Sequence, residues 1–281
     1  MKVLPFKIPK PEKDALIYQE DHERVFYDKL HQHAEIQFSI ILAGQGTLIV
    51  GDTVSFYAKN DIIILDSNMP HVFKSDKKHA NPSRMLSLFF TRESFGPDFF
   101  NLEELQELKP FFNRCKHGFK VTSNQKAIKT LFLQLGAATK LERFILLLKL
   151  LKLVTAANYD SLSSFVYNKK YSDNEGKRMR AVLEFTMNNY RKNISLTAVA
   201  EVSNMTKNAF CKYFKKRTNK SYFQFLNELR IENACRLMQV QPDATISEIA
   251  YQSGFNNISN FNRQFKIIKS KAPSTFRKSL N

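Results

Sequence analysis

Two sets of side chains in this sequence have the types and spacing to do chemistry. The first is a pair of polar stripes near the C-terminal end. Asn208, Cys211, Lys212 and Lys215 recur at helical spacing, and so do Ser259, Asn262, Arg263 and Lys266, with Asn260 near the edge of the second stripe. Asn, Ser and Arg side chains can hydrogen-bond base edges, while Lys mostly finds phosphate. The second set is His31-Gln32-His33-Ala34-Glu35, with Pro70-His71 later in the chain. On an ideal strand His31, His33 and Glu35 share one face. Imidazole and carboxylate suit zinc, iron or manganese. The same groups can instead hydrogen-bond a small molecule in a pocket, or simply line a solvated rim. A solvated face likewise accounts for any single charged stripe, but two aligned stripes are harder to dismiss.

The stripes sit in a near-duplication. Ala200 to Phe214 reads AEVSNMTKNAFCKYF and Ala250 to Phe265 reads AYQSGFNNISNFNRQF. Each copy starts with a small residue, reaches a turn residue four positions on (Asn204, Gly254) and then begins a second helix. This is the pattern of a helix-turn-helix unit, which places a short helix in the major groove. In the first copy Ser195 caps a helix carrying Leu196, Val199 and Ala200 inward. Thr206 caps the next helix, which buries Phe210, Tyr213 and Phe214 and turns Lys207, Asn208, Cys211, Lys212 and Lys215 outward. In the second, Thr245 to Glu248 forms a capping box, Phe255 plugs the core and Asn257 caps a helix with Ile258, Phe261 and Phe265 on its buried side. Phe223 to Met238 between them reads as one long spacer helix.

The elements before Thr91 have a different period. Ile36, Phe38 and Ile40 alternate, Gly51-Asp52 is a two-residue hairpin turn, Val54 and Phe56 alternate again, and Ile62 to Leu65 and Met85 to Phe90 complete a series of short strands. That spacing predicts an antiparallel barrel or jelly roll. Leu102–Leu108 and Gln125–Leu135 read as helices. Leu141–Ala157 is a long helix apolar on more than one face, suited to internal core or to pairing with a second copy. Met179, Val182, Leu183, Thr186, Met187 and Tyr190 mark one buried face of a further helix. The expected class is therefore α+β: a strand-rich domain and its helices over residues 1–160 (barrel about 15–91, helices about 101–158), a polar linker over 161–176, and an all-α domain over 177–281.

Composition limits the partners. The 281-residue chain carries a formal net charge of +17 and a pI near 9.7. The excess is concentrated in residues 172–281, with 19 basic and 8 acidic side chains. This balance favours a polyanion such as double-stranded DNA. Cys115, Cys211 and Cys235 are scattered without a CxxC pair, which suits a reducing cytoplasm. The greasy stretch Phe144–Val154 is interrupted by Lys149 and Lys152 and is too short to span a bilayer, so no membrane partner is expected. No nucleophilic triad or phosphate-binding Gly loop is evident; catalytic residues, a bound metal and a cofactor are not expected. His22, His79 and His117 have no recognisable partners and read as surface residues.

The C-terminal region resembles the AraC/XylS family of bacterial transcription regulators. The resemblance rests on Leu196 with Ala200, Phe214-Lys215-Lys216, Leu226 to Arg230 with Ala234, Ile249-Ala250, Gly254-Phe255, Phe261, Arg263, Phe265-Lys266, Pro273 and Phe276-Arg277, over about Val182 to Lys278. It implies a seven-helix domain that inserts two helices into successive major grooves, with DNA contacts from Thr206, Lys207, Asn208, Cys211, Lys212, Lys215, Asn257, Ser259, Asn260, Asn262, Arg263 and Lys266. The family usually has Gly where Asn219 and Ser270 stand and Pro where Tyr222 stands, which points to local changes only. The N-terminal part, about Tyr27 to Phe73, resembles the cupin-like barrel of such regulators. It implies an effector pocket, with His33, Glu35 and His71 as its polar groups. The expectation is a cytoplasmic, effector-controlled activator, working as a homodimer on promoter DNA with RNA polymerase as a further partner. The alternatives are a metal-dependent cupin enzyme fused to a DNA-binding domain, with His31, His33 and His71 on the metal, and an architectural DNA binder without a ligand.

Overall fold

The structure is a computed structural model that describes residues 5–8, 10–11, 14–76, 82–164, 166 and 172–280. Contacts divide the chain into two compact units: Met1–Gly51 with Phe56–Asp173, and Asn174–Asn281 with Asp52–Ser55. The reading of His79 as a surface residue lies outside the described residues, as do residues 165 and 167–171 of the segment read as a linker. Tyr159–Ser161, which overlaps its start, is a strand, and Asp173–Gly176 at its end already belong to a helix.

Before Asp173 the chain forms β1 (Ile17–Glu23), β2 (Ile36–Ala43), β3 (Gly46–Val50), β4 (Thr53–Tyr57), β5 (Ile62–Leu65), β6 (His71–Ser75), β7 (Ser83–Phe90), β8 (Phe119–Val121) and β9 (Tyr159–Ser161), with α1 (Lys109–Cys115), α2 (Gln125–Gln134) and α3 (Lys140–Thr155). Glu103–Leu108, expected to be helical, is 3-10 helix. The expected barrel is not closed. The strands form a six-stranded antiparallel sheet, β1-β7-β2-β5-β8-β9, and a separate three-stranded sheet, β4-β3-β6.

The physical reason lies in β2 and its neighbours. Phe38 stands opposite Ile64 on one side and Leu88 on the other. With Ile36, Ile40, Leu86 and Phe90 these residues make one apolar sheet face, which packs against Phe111, Ile128, Phe132, Leu147 and Leu151 of the helices. Phe38 meets the Phe132 ring edge-on at 4.9 Å between centroids. A large sheet covered by helices on one face stays open at its edge, and β8 and β9, contributed from beyond the strand series, extend it. The opposite face carries Ile41, Ile63, Leu65 and Met85, which pack with Leu48, Val50, Tyr57 and Phe73 of the small sheet and its flanks.

Helix α3 is internal core along one side: Leu146, Leu147, Leu150, Leu151 and Val154 are buried. Its N-terminus is closed by a capping box between Thr139 and Glu142. Leu141 and Ile145 are exposed, at 68% and 43% of their full surface.

From Asp173 onward every regular element is a helix: α4 (Asp173–Asn189), α5 (Leu196–Val202), α6 (Lys207–Thr218), α7 (Tyr222–Val240), α8 (Ile246–Gln252), α9 (Ile258–Lys269) and α10 (Pro273–Lys278). The 19 residues of α7 make a rod of about 28 Å. Its first half packs Tyr222 and Phe225 against Phe210 and Phe214 of α6. Its second half packs Ile231, Ala234, Cys235 and Met238 with Ile249, Phe255, Phe261 and Phe265. Tyr222, which stands where the resembled family usually has Pro, is buried. Ser221 and Gln224 form the capping box at that helix start, and the Tyr222 hydroxyl lies 2.9 Å from Thr186 Oγ1.

Asn219 and Ser270, the two departures from Gly, are left-handed C-caps of α6 and α9, with φ of 55° and 56°. Asn adopts this conformation more readily than Ser. Ser270→Gly is therefore expected to stabilise the C-terminal unit by about 1 kcal/mol. A denaturation midpoint that stays put or falls would contradict this. The same measurement on Phe132→Ala should show a loss of about 3–5 kcal/mol from the N-terminal unit.

Candidate functional site

Each polar stripe lies on the second helix of a tightly turned pair. In the first pair Ser195 caps α5 by accepting from the Ala198 N–H, Asn204 makes the turn at φ 54°, and Thr206 caps α6 by accepting from the Ala209 N–H. Phe210 and Phe214 are fully buried, and Tyr213 is half-buried with its hydroxyl donating to the Glu175 carbonyl at 2.9 Å. This anchoring leaves Thr206, Lys207, Asn208, Cys211, Lys212 and Lys215 exposed together. Behind them, Arg217 is buried and paired with Glu175 of α4.

In the second pair a capping box between Thr245 and Glu248 starts α8, and Asn257 caps α9 by accepting from the Asn260 N–H. The turn between them needs Gly254: its φ is +94°, and a Cβ there would stand 2.5 Å from the Tyr190 carbonyl oxygen. Phe261 and Phe265 are buried, and Asn257, Ser259, Asn262, Arg263 and Lys266 are exposed. Asn260 is half-buried and accepts a hydrogen bond from Arg263 Nη2 at 3.0 Å. It thus holds the guanidinium that the sequence assigns to base reading. Ile258 does not lie on the buried side as expected. It is 41% exposed, because it is the first residue of α9, and it lines a groove of about 580 Å³ with Asn262, Arg263, Lys266 and Pro273.

Arg230 fixes α7 to the end of α4. It donates to the Tyr190 and Lys192 carbonyls at 2.7 and 2.9 Å and stacks over Phe255. Buried Asn233 accepts from the Tyr190 hydroxyl at 3.0 Å and faces Ser253 Oγ at 3.4 Å.

The N-terminal unit holds a cavity of about 470 Å³ on the inner face of the large sheet. His31, His33 and His71 meet on its wall, with ring centroids 4.3 Å (His31–His71), 5.1 Å (His33–His71) and 6.2 Å (His31–His33) apart. The His31–His71 pairing is also a main-chain one, a two-way hydrogen-bonded bridge. Burial holds all three imidazoles neutral. It lowers the His33 pKa to about 3 and that of His71 to about 4, and with the neighbouring imidazoles it lowers that of His31 well below the usual histidine range.

Glu35 stands on the other side of His33, with Oε2 3.7 Å from Nδ1, and does not line the cavity. The strand alternation that aligned it with His31 and His33 does not apply, because β2 begins only at Ile36. The cavity instead recruits Gln37, whose amide hydrogen-bonds Ser39, which in turn lies 2.7 Å from Ser87. Polar Gln37 and Ser39 between apolar Ile36, Phe38 and Ile40 were the available signal for this inner face. Lys10, Gln19 and Asp21 form a second polar group on the wall: Lys10 donates to Gln19 at 2.7 Å and Gln19 to Asp21 at 2.7 Å. Burial lowers the Lys10 pKa and raises that of Asp21. Nothing in the sequence pattern marks Lys10, which the chain's course alone brings to the cavity. His22 is exposed as expected, whereas His117 is half-buried with Nδ1 3.3 Å from the Ser163 carbonyl.

Comparison with known proteins matches a different domain family in each part of the chain. An AraC-like ligand binding domain matches residues 15–135, and a helix-turn-helix domain matches residues 199–279. The chain is a transcriptional regulator that carries an AraC-like ligand-binding domain and an AraC-type helix-turn-helix domain. It joins a ligand-binding domain to a DNA-binding domain with two helix-turn-helix units. Along most of its length the regulator is similar to the HTH-type transcriptional regulator YdeC of Bacillus subtilis (strain 168), with 24% identity over 90% of this chain and 87% of that protein. The HTH-type transcriptional activator RhaS of Pectobacterium carotovorum subsp. carotovorum (strain PC1) is 28% identical over 40% of this chain and 39% of its own length. Among solved structures, ToxT from Vibrio cholerae O395 aligns with 95% of this chain and 98% of its own at 15% identity and a TM-score of 0.38. No helix among the described residues is long and apolar enough to cross a membrane.

Because the three histidines are neutral when folded and protonate near 6.5 when unfolded, the unfolded chain binds more protons below that pH. Stability of the regulator's N-terminal unit should thus fall as pH drops from about 6.5 toward 4, by up to about 1.4 kcal/mol per pH unit for each histidine. Denaturation in chelator-containing buffer across that range checks this. His33→Gln should flatten the slope, and an unchanged slope in the variant would refute the assignment.

Proposed function

We propose that this regulator is a one-component, effector-controlled activator that works as a homodimer in the cytoplasm. Its α6 and α9 helices read two successive major-groove segments of promoter DNA, and a small molecule in the N-terminal cavity sets how well they do so. The carrying observation is the matched exposure of two polar stripes, each on a helix whose opposite face is locked by buried Phe side chains. Asn208, Ser259, Asn262 and Arg263 are the base-reading groups, with Thr206, Cys211, Asn257 and Asn260 beside them, and Lys207, Lys212, Lys215 and Lys266 hold phosphates. Activation, the role in the name of the RhaS relative, requires productive contact with RNA polymerase. In the cavity, His33 and His71 supply polar contacts to the effector, while Glu35 acts from behind His33. The effector shifts regulation only through a difference in affinity for two arrangements of the protein.

The exposed Leu141 and Ile145 on α3 support pairing through that helix. Leu141→Glu with Ile145→Glu should convert a dimer to a monomer in sedimentation. A wild-type monomer, or a dimer untouched by the pair of substitutions, would remove α3 from the interface.

Selection of fragments from a random DNA pool by the full-length protein should recover two short half-sites about one helical turn apart. Recovery of no motif by a folded protein, with and without cell metabolites, would sink the reading. On the selected DNA, Arg263→Ala should cost about 1–3 kcal/mol and relax one base position. Lys215→Ala should weaken all sequences alike and flatten the salt dependence.

A further inference from the structure

Three lone pairs converge in the cavity of the N-terminal unit with no proton between them. His31 Nδ1 lies 2.9 Å from the Lys29 carbonyl, His33 Nδ1 2.9 Å from the Glu35 carbonyl, and His71 Nδ1 2.8 Å from the Met69 carbonyl. A neutral imidazole has one N–H, and in each ring a main-chain carbonyl two residues away claims it. Nε2 is left as the acceptor nitrogen on all three rings. His71 Nε2 is buried with no hydrogen-bond partner. His33 Nε2 lies 3.1 Å from Gln37 Oε1, a second acceptor, whose amide nitrogen is directed to Ser39. Turning the Gln37 amide over would relieve His33 but would leave His71 as it is.

One ring nitrogen from each histidine lies within 4.8 Å of the others. Donors on a tetrahedral zinc ion at about 2.0–2.1 Å stand about 3.4 Å apart, so the rings need close in by little more than an ångström. Donation of the other ring N–H to a backbone carbonyl is the outer support that metal-binding histidines carry. Asp21 and Glu23 also line the cavity and give it negative charge, opposed by Lys10.

We propose that His31, His33 and His71 bind one divalent transition cation of the zinc type through Nε2, with Gln37 Oε1 as the adjacent neutral oxygen donor. Three neutral imidazoles leave the ion with its full positive charge and a side open to the cavity. The effector class this site selects is the cation itself, or an anionic molecule held on it. The inference rests on the reading of this cavity as the effector site.

The test uses tag-free full-length protein, stripped with a chelator and then titrated with Co²⁺ and with Zn²⁺. Cobalt should give the intense visible bands of tetrahedral coordination, and one zinc ion per chain should survive gel filtration. His33→Ala and His71→Gln should each weaken zinc binding by more than the roughly 10–100-fold that loss of an outer partner costs. Circular dichroism of the variants should match the wild type. Only the weak spectrum of aqueous cobalt with no retained zinc, or equal retention by folded variants, overturns the proposal. If a variant fails to fold, the wild-type cobalt spectrum still decides. Specific DNA binding by wild-type protein that retains no metal overturns the cation site alone, whereas absence of a DNA motif overturns the regulator reading whatever the metal content.

Discussion

A helix that offers one polar face to DNA must be held by its other face, and here that hold is aromatic. Phe210 and Phe214 fix α6 against Tyr222 and Phe225, and Phe261 and Phe265 fix α9 among Phe255 and Phe276. Both clusters close on the same helix, α7, through residues on its two halves. Large rings bury much apolar surface with few rotatable bonds, so α6 and α9 are each anchored at small entropic cost. Loss of a ring would tilt a whole stripe of exposed polar side chains.

The N-terminal unit obeys a related constraint with opposite consequences. Its β2 strand is buried on both faces. One face is apolar and packs on helices. The other must accommodate Gln37, Ser39 and the histidines, and buried polar groups demand partners. Most find them in the Gln37–Ser39–Ser87 chain or in main-chain carbonyls. Those that do not, above all His71 Nε2, mark where this domain is prepared for something other than itself.

Much of the C-terminal unit was legible in the sequence because helix periodicity and caps are local. Ser195, Thr206, Thr245 and Asn257 cap the helices they were expected to cap, and the outward positions follow from 3.6-residue spacing. Ile258 was misplaced because the first residue of a helix lacks a full turn of neighbours to cover it. In the N-terminal unit the strands were legible but their closure was not. Alternation says which residues share a face, and cannot say whether that face meets a second sheet or a layer of helices.

The sequence by itself determined the α+β division, the duplicated helix-turn-helix, the two polar stripes and the concentration of positive charge beside them. These depend on near neighbours in the chain and on composition. Only the tertiary structure decided that two sheets stand where a barrel was expected, that Gln37 and Lys10 join the cavity while Glu35 stays behind His33, and that three imidazoles converge. Convergence of His71 with His31 and His33 depends on strand pairing across some forty residues, and no local preference records which distant segment a strand will meet.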